Sequence, residues 1–156
     1  MKWLRVNCKI LILLVFSITS VILWYCNLDN PQAKLLELYE NQDIHFNVAS
    51  INAIFAGFLF TSFGILLSLL SKDSVKRLWD NGYMDCVCNS IILGIFFHIA
   101  SIIFSLPGIF DLLTNENSIH AITFFEIATL CIGVVLFILS TVELIQAFKQ
   151  FKKGDE

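Results

Sequence analysis

The sequence predicts an all-α integral membrane protein, a four-helix bundle with its N and C termini both in the cytosol. Three observations carry this: composition, four apolar runs of membrane length, and a one-sided distribution of Lys and Arg. Of the 156 residues, 57% are hydrophobic and only 15% charged; a soluble domain holds about 45–50% apolar and about 25% charged residues. Fifteen Phe and a mean hydropathy of +0.78 agree. The net charge of −3 lacks the basic footprint of a nucleic-acid binder, so no nucleic-acid partner is expected.

A bilayer core about 30 Å thick needs roughly 20 apolar residues in a helix. Runs at approximately 10–25, 48–70, 86–109 and 121–148 meet that requirement and are expected to span. Helices are the form open to them, because lipid offers no partner for free backbone groups. The whole chain, 1–156, reads as one membrane domain. The first run has the basic flank and short apolar core of a signal peptide, but no small-x-small site precedes Trp24, Tyr25 and Cys26. A retained first helix is expected.

Lys and Arg set the orientation. Lys2, Arg5 and Lys9 precede the first run, Lys72, Lys76 and Arg77 lie in the middle loop, and Lys149, Lys152 and Lys153 close the last. Only Lys34 falls in an odd-numbered loop. The expected location is a cell inner (plasma) membrane, multi-pass, with these nine cations facing the cytosol.

The outer loops are 26–47 and 110–120. In the first, Asp29-Asn30-Pro31 starts a short helix with Pro31 at its first position. Ala33, Leu35, Leu36, Leu38 and Tyr39 give it an apolar side, with Glu37 and Glu40 opposite. The inner loop, 71–85, holds an amphipathic segment in which Val75, Leu78 and Trp79 share a face. Lys72, Lys76, Arg77 and Trp79 form its candidate surface for anionic lipid or a cytosolic protein partner. Asn81-Gly82 ends it.

Helices in lipid associate through small residues. The second run carries Ala49, Ala53, Gly57, Thr61, Gly64 and Ser68 at spacings of three and four, and the third carries Ser90, Gly94, His98, Ser101, Ser105 and Gly108. The fourth offers Glu126, Thr129, Gly133, Ser140, Glu143 and Ala147. Ala53, Gly57, Gly64, Gly94 and Gly133 are the expected helix-packing positions, and faces left over after folding imply a homo-oligomer. Pro107 implies a kink or early stop in the third helix.

Counting 1.5 Å per residue from the outer surface puts Asn52 and Glu126 at one depth and His98 a turn deeper. The three are expected to meet inside the bundle. Two readings stand: a hydrogen-bonded knot that fixes helix register, or a proton- or ion-sensitive site. Glu143 is expected to pair with Lys76, Arg77 or Lys149.

Enzyme chemistry is not expected. Cys26 stands alone on the outer side, so the paired outer thiols of a thiol oxidoreductase are missing. Cys8, Cys86 and Cys88 lack zinc-ligand spacing. Only His98 lies at depth, short of a bis-His haem, and Ser101 one turn along the same helix is poor geometry for a serine nucleophile. No metal or cofactor is expected. A transporter would show inverted repeats or paired broken helices, which the halves do not.

In size and topology the chain resembles the small four-helix membrane subunits of bacterial anti-phage defence systems, such as the membrane partner of the Kiwa pair. Gly57, Gly64, Arg77 and Gly82-Tyr83-Met84 are the positions to compare, and no signature motif is shared. The resemblance implies an inner-membrane oligomer that senses envelope perturbation and signals to a cytosolic effector. The functional expectation is thus a non-enzymatic interaction or sensor subunit, with a pore-forming oligomer and a small ion- or proton-coupled transporter as alternatives.

Overall fold

A computed structural model describes residues 2–26, 29–69, 79–80 and 82–154, with side chains described for 14–26, 29–69, 79–80, 82 and 84–149. Most of the described residues are helical, and none of them lies in a strand. Five helices follow one another: α1 Lys2–Cys26, α2 Pro31–Glu40, α3 Gln42–Ser68, α4 Tyr83–Ile109 and α5 Glu116–Gly154.

Three of them, α3, α4 and α5, are long and apolar enough to cross a bilayer. At 1.5 Å per residue, the 27 residues of α3 and of α4 each extend about 40 Å, beyond the hydrocarbon thickness. Exposed Phe58, Phe60, Phe96, Ile103 and Ile138 spread apolar surface over their outward faces, as lipid contact requires. The chain is a membrane protein. In α1, described side chains begin at Leu14, and Leu14–Cys26 is a shorter apolar stretch.

Helix starts precede the apolar runs wherever a cap sets them. α3 begins at Gln42, six residues before the apolar run, because the Asn41 side chain accepts from the Ile44 amide. α2 begins as its residues require: the Asn30 side chain accepts from Ala33 N, and Pro31 follows. Leu35 and Tyr39 are buried beneath it, whereas Glu37 and Glu40 are exposed. α4 stops two residues beyond Pro107, and Leu112 N returns to the Pro107 carbonyl. Pro107 therefore marks a stop rather than a mid-membrane hinge.

α4 and α5 form the central pair. α3 packs chiefly on α4, and α1 and α2 chiefly on α5. The two outer helices use different faces of the pair. On one side Leu59 and Leu66 of α3 pack with Met84, Val87, Ile91 and Ala147, joined by Trp79. On the other, Leu14 of α1 packs with Leu93, Phe97, Ile132 and Leu136.

The buried residues of α3 are His45, Asn52, Leu59 and Leu66, one every seven positions. This stripe replaces the expected interior ridge. Ala53, Gly57 and Gly64 are exposed, and a Cβ built on either glycine would meet nothing within 4 Å. The physical reason is polarity. Glycine and alanine lose little by facing lipid, whereas the His45 and Asn52 side chains would leave polar atoms unpaired there. The polar residues set the rotation of the helix.

Gly94 and Gly133 do lie in helix contacts. A Cβ on Gly94 would come within 2.7 Å of Leu59 Cδ1 and 3.7 Å of Leu136 Cβ, and one on Gly133 within 2.8 Å of His98 Cε1. Gly57→Ala and Gly64→Ala are expected to raise monomer stability, each by up to about 1 kcal/mol from helix propensity. Reversible unfolding in mixed micelles at high dilution checks this, and a loss at either position would mean that the ridge has a contact.

Candidate functional site

Six of the buried polar side chains gather toward the α2 end, where α3, α4 and α5 meet. His45 in the first turn of α3, Ser101 and Ser105 on α4, and Glu126 on α5 are each 0–2% exposed, as are Asn52 and His98. Asn41 capping brings His45 into the helix and onto the Asn52 face. Ser101 and Ser105 share a face of α4 one turn apart.

The contacts form one network. His45 Nδ1 lies 2.6 Å from Glu126 Oε2, and His45 Nε2 lies 3.2 Å from the Tyr39 carbonyl. Ser105 Oγ lies 2.7 Å from Glu126 Oε1 and 2.9 Å from the Ser101 carbonyl. Ser101 Oγ donates to the Glu126 carbonyl at 3.1 Å and accepts from Asn52 Nδ2 at 2.9 Å. Asn52 Oδ1 is 2.6 Å from His98 Nδ1. Thus Asn52, His98 and Glu126 belong to one assembly, but Glu126 takes His45, not His98, as its partner.

Donor and acceptor roles follow from the fixed partners. A carbonyl only accepts, so His45 Nε2 carries a proton for Tyr39. One further proton lies between His45 Nδ1 and Glu126 Oε2. The pair is then neutral overall, either as imidazolium and carboxylate or as imidazole and carboxylic acid. Asn52 Nδ2 is committed as a donor to Val48 O and Ser101, so Oδ1 accepts from His98 Nδ1–H. His98 Nε2 is then left without a hydrogen-bond partner.

Each imidazole lies over a glycine. A Cβ on Gly108 would collide with the His45 ring, and one on Gly133 with the His98 ring. Phe55 borders His98 at 5.3 Å between ring centroids. The α2 end is closed by Tyr39, whose hydroxyl donates to Pro107 O and accepts from Leu113 N, both at 3.1 Å. His45 is therefore tied to the same residue that pins α2 to the end of α4.

Hydropathy does not mark His45, because it precedes the apolar run and lies within the polar 26–47 segment. Its signal was the seven-residue step back from Leu66, Leu59 and Asn52. At the far end of the α4–α5 seam, Glu143 accepts from Ser90 Oγ at 2.7 Å and Cys86 Sγ at 3.2 Å. Of its expected cationic partners, Lys76 and Arg77 lie outside the described residues, as does Lys72. Trp79 is partly buried and packs against the cluster of Leu59, Leu66, Met84, Val87, Ile91 and Ala147. Among the described residues no three His, Cys, Asp or Glu side chains gather as a metal site.

Gly108→Ala is expected to drive the His45 ring from its seat and destabilise the protein by about 1–3 kcal/mol, in contrast to Gly57→Ala. Unfolding in mixed micelles checks this, and equal tolerance at both positions would contradict the seating. No family model, curated protein or solved structure matches the chain.

Proposed function

We propose that this chain is a non-enzymatic interaction or sensor subunit of a cell inner membrane, with four spans and both termini cytosolic. The observation that carries the reading is the complete burial of the His45–Glu126 pair directly beneath the α2 cap. Ionisable groups at membrane depth are costly and mark function by default. Here the pair touches α2, which Tyr39 pins to the end of α4, where an external perturbation would arrive.

The four-span topology rests on two supports. α1 is helical over 25 residues, about 37 Å, which suffices for a crossing. Nine of the ten Lys and Arg then fall on one side. On that side the segment 71–85 and the C-terminal Lys149, Lys152 and Lys153 would meet anionic lipid and a cytosolic partner. The exposed ridge of Ala53, Gly57 and Gly64 supports self-association in the bilayer. A role in anti-phage defence, as the architectural resemblance implies, belongs to the same reading.

A pore-forming oligomer is the second reading. Exposed Thr61 lies on that ridge between the two glycines, and would bring a hydroxyl to a helix–helix seam. Two measurements separate the readings. Lys76→Glu with Arg77→Glu is expected to abolish co-purification of the cytosolic partner while membrane insertion persists. Retained co-purification counts against the interaction reading, and ion conductance of the purified chain in liposomes would favour the pore.

A further inference from the structure

The Ser105 hydroxyl has one proton and two acceptors in reach, Glu126 Oε1 at 2.7 Å and the Ser101 carbonyl at 2.9 Å. It serves one of them at a time. When it points at Glu126, that oxygen is an acceptor. When it turns to Ser101, its lone pairs face Glu126 Oε1 and can receive a hydrogen bond from it. The Ser101 carbonyl accepts either way, since it also lies in the α4 ladder. The second arrangement is complete only if Oε1 carries a proton of its own.

We propose that Glu126 Oε1 with Ser105 is a proton-binding site, filled or empty, separate from the proton that Glu126 Oε2 permanently shares with His45. In the empty state the His45–Glu126 pair is neutral and Ser105 donates to Oε1. Filling forms an O–H bond at Oε1, with hydronium giving up its proton and leaving as water. The Ser105 hydroxyl turns to Ser101, and the site gains one positive charge. With the carboxyl protonated on Oε1, the shared proton resides on His45 Nδ1 and the ring is an imidazolium. No hydrogen bond is lost in the exchange.

The added charge is read by α2. His45 Nε2–H donates to the Tyr39 carbonyl, and a charged donor makes a stronger bond than a neutral one. A filled site therefore holds α2 more tightly. The remaining surroundings leave this exchange to these groups. From α2 the pair meets Tyr39, from α3 His45 itself, and from α4 only the serines and backbone. Lys34, Glu37, Glu40 and Asp43 are exposed, His120 lies six residues earlier on α5, and His98 bonds to Asn52.

The proton site deepens the sensor reading and rests on it, naming hydrogen ion as the input. The full chain in lipid nanodiscs provides the test, by infrared difference spectra between about pH 8 and about pH 5. A carboxylic acid C=O band is expected to appear or shift on acidification, to vanish in Glu126→Gln and Ser105→Ala, and to persist in Ser105→Thr. Amide exchange across Pro31–Glu40, corrected for its intrinsic pH dependence, is expected to slow several-fold at the acid end and to be pH-independent in Glu126→Gln. A wild-type spectrum without a Glu126-dependent change overturns the proposal. So does a band retained in Ser105→Ala, or lost in a folded Ser105→Thr. Failure of partner co-purification would leave this band untouched, so the two readings fail separately.

Discussion

A carboxyl group and an imidazole buried among lipid-length helices are tolerable only as partners. Stranding either one leaves an unpaired polar or charged group in a medium without water, where the penalty is several kcal/mol. The contact of His45 with Glu126 at 2.6 Å meets that demand, and other features of this end of the molecule follow from it. α3 must turn His45 and Asn52 inward, α4 must supply Ser105 to the second carboxylate oxygen, and Gly108 must remain without a side chain. Even the placement of α2 is affected, because the second nitrogen of His45 needs the Tyr39 carbonyl.

The α4–α5 pair is thereby differentiated. The face shared with α3 is polar toward α2 and apolar farther along, where Leu59 fills the space over Gly94. The face shared with α1 joins Leu14, Leu93, Phe97, Ile132 and Leu136. Directional hydrogen bonds fix the rotation and depth of α3, whereas the packing described around Leu14 is apolar and less directional. The exposed glycines of α3 are a consequence of the same rotation. With the polar stripe inside, the small residues remain for whatever lies alongside the bundle.

Much of this was legible in the residues. Apolar runs gave the three long helices, because length and hydropathy are direct statements about a bilayer. Counting residues along ideal helices brought Asn52, His98 and Glu126 into one region, because helical rise is constant. Pro31 and Asn30 announced α2. What failed was rotation: Ala53, Gly57 and Gly64 suit a close helix contact anywhere, so their spacing alone does not tell an inner face from an outer one. Polar residues do tell, and the interval from His45 through Asn52 to Leu59 and Leu66 was the better guide. His45 was hidden by the polar sequence around it, since a cap, not hydropathy, decides where α3 begins. The role of Ser105 could not be read at all, as it depends on which carboxylate oxygen faces which helix.

The dependence of this fold on one contact is measurable. A double-mutant cycle with His45→Ala, Glu126→Ala and the combined variant, unfolded reversibly in mixed micelles, isolates the coupling between the two side chains. In double-mutant cycles of one helical membrane protein, interhelical hydrogen bonds average about 0.6 kcal/mol and reach at most about 1.7. A coupling clearly above that maximum is expected, because each single variant strands its partner. A coupling within the ordinary range would mean that the pair is one contact among many, and that α3 is oriented by something else.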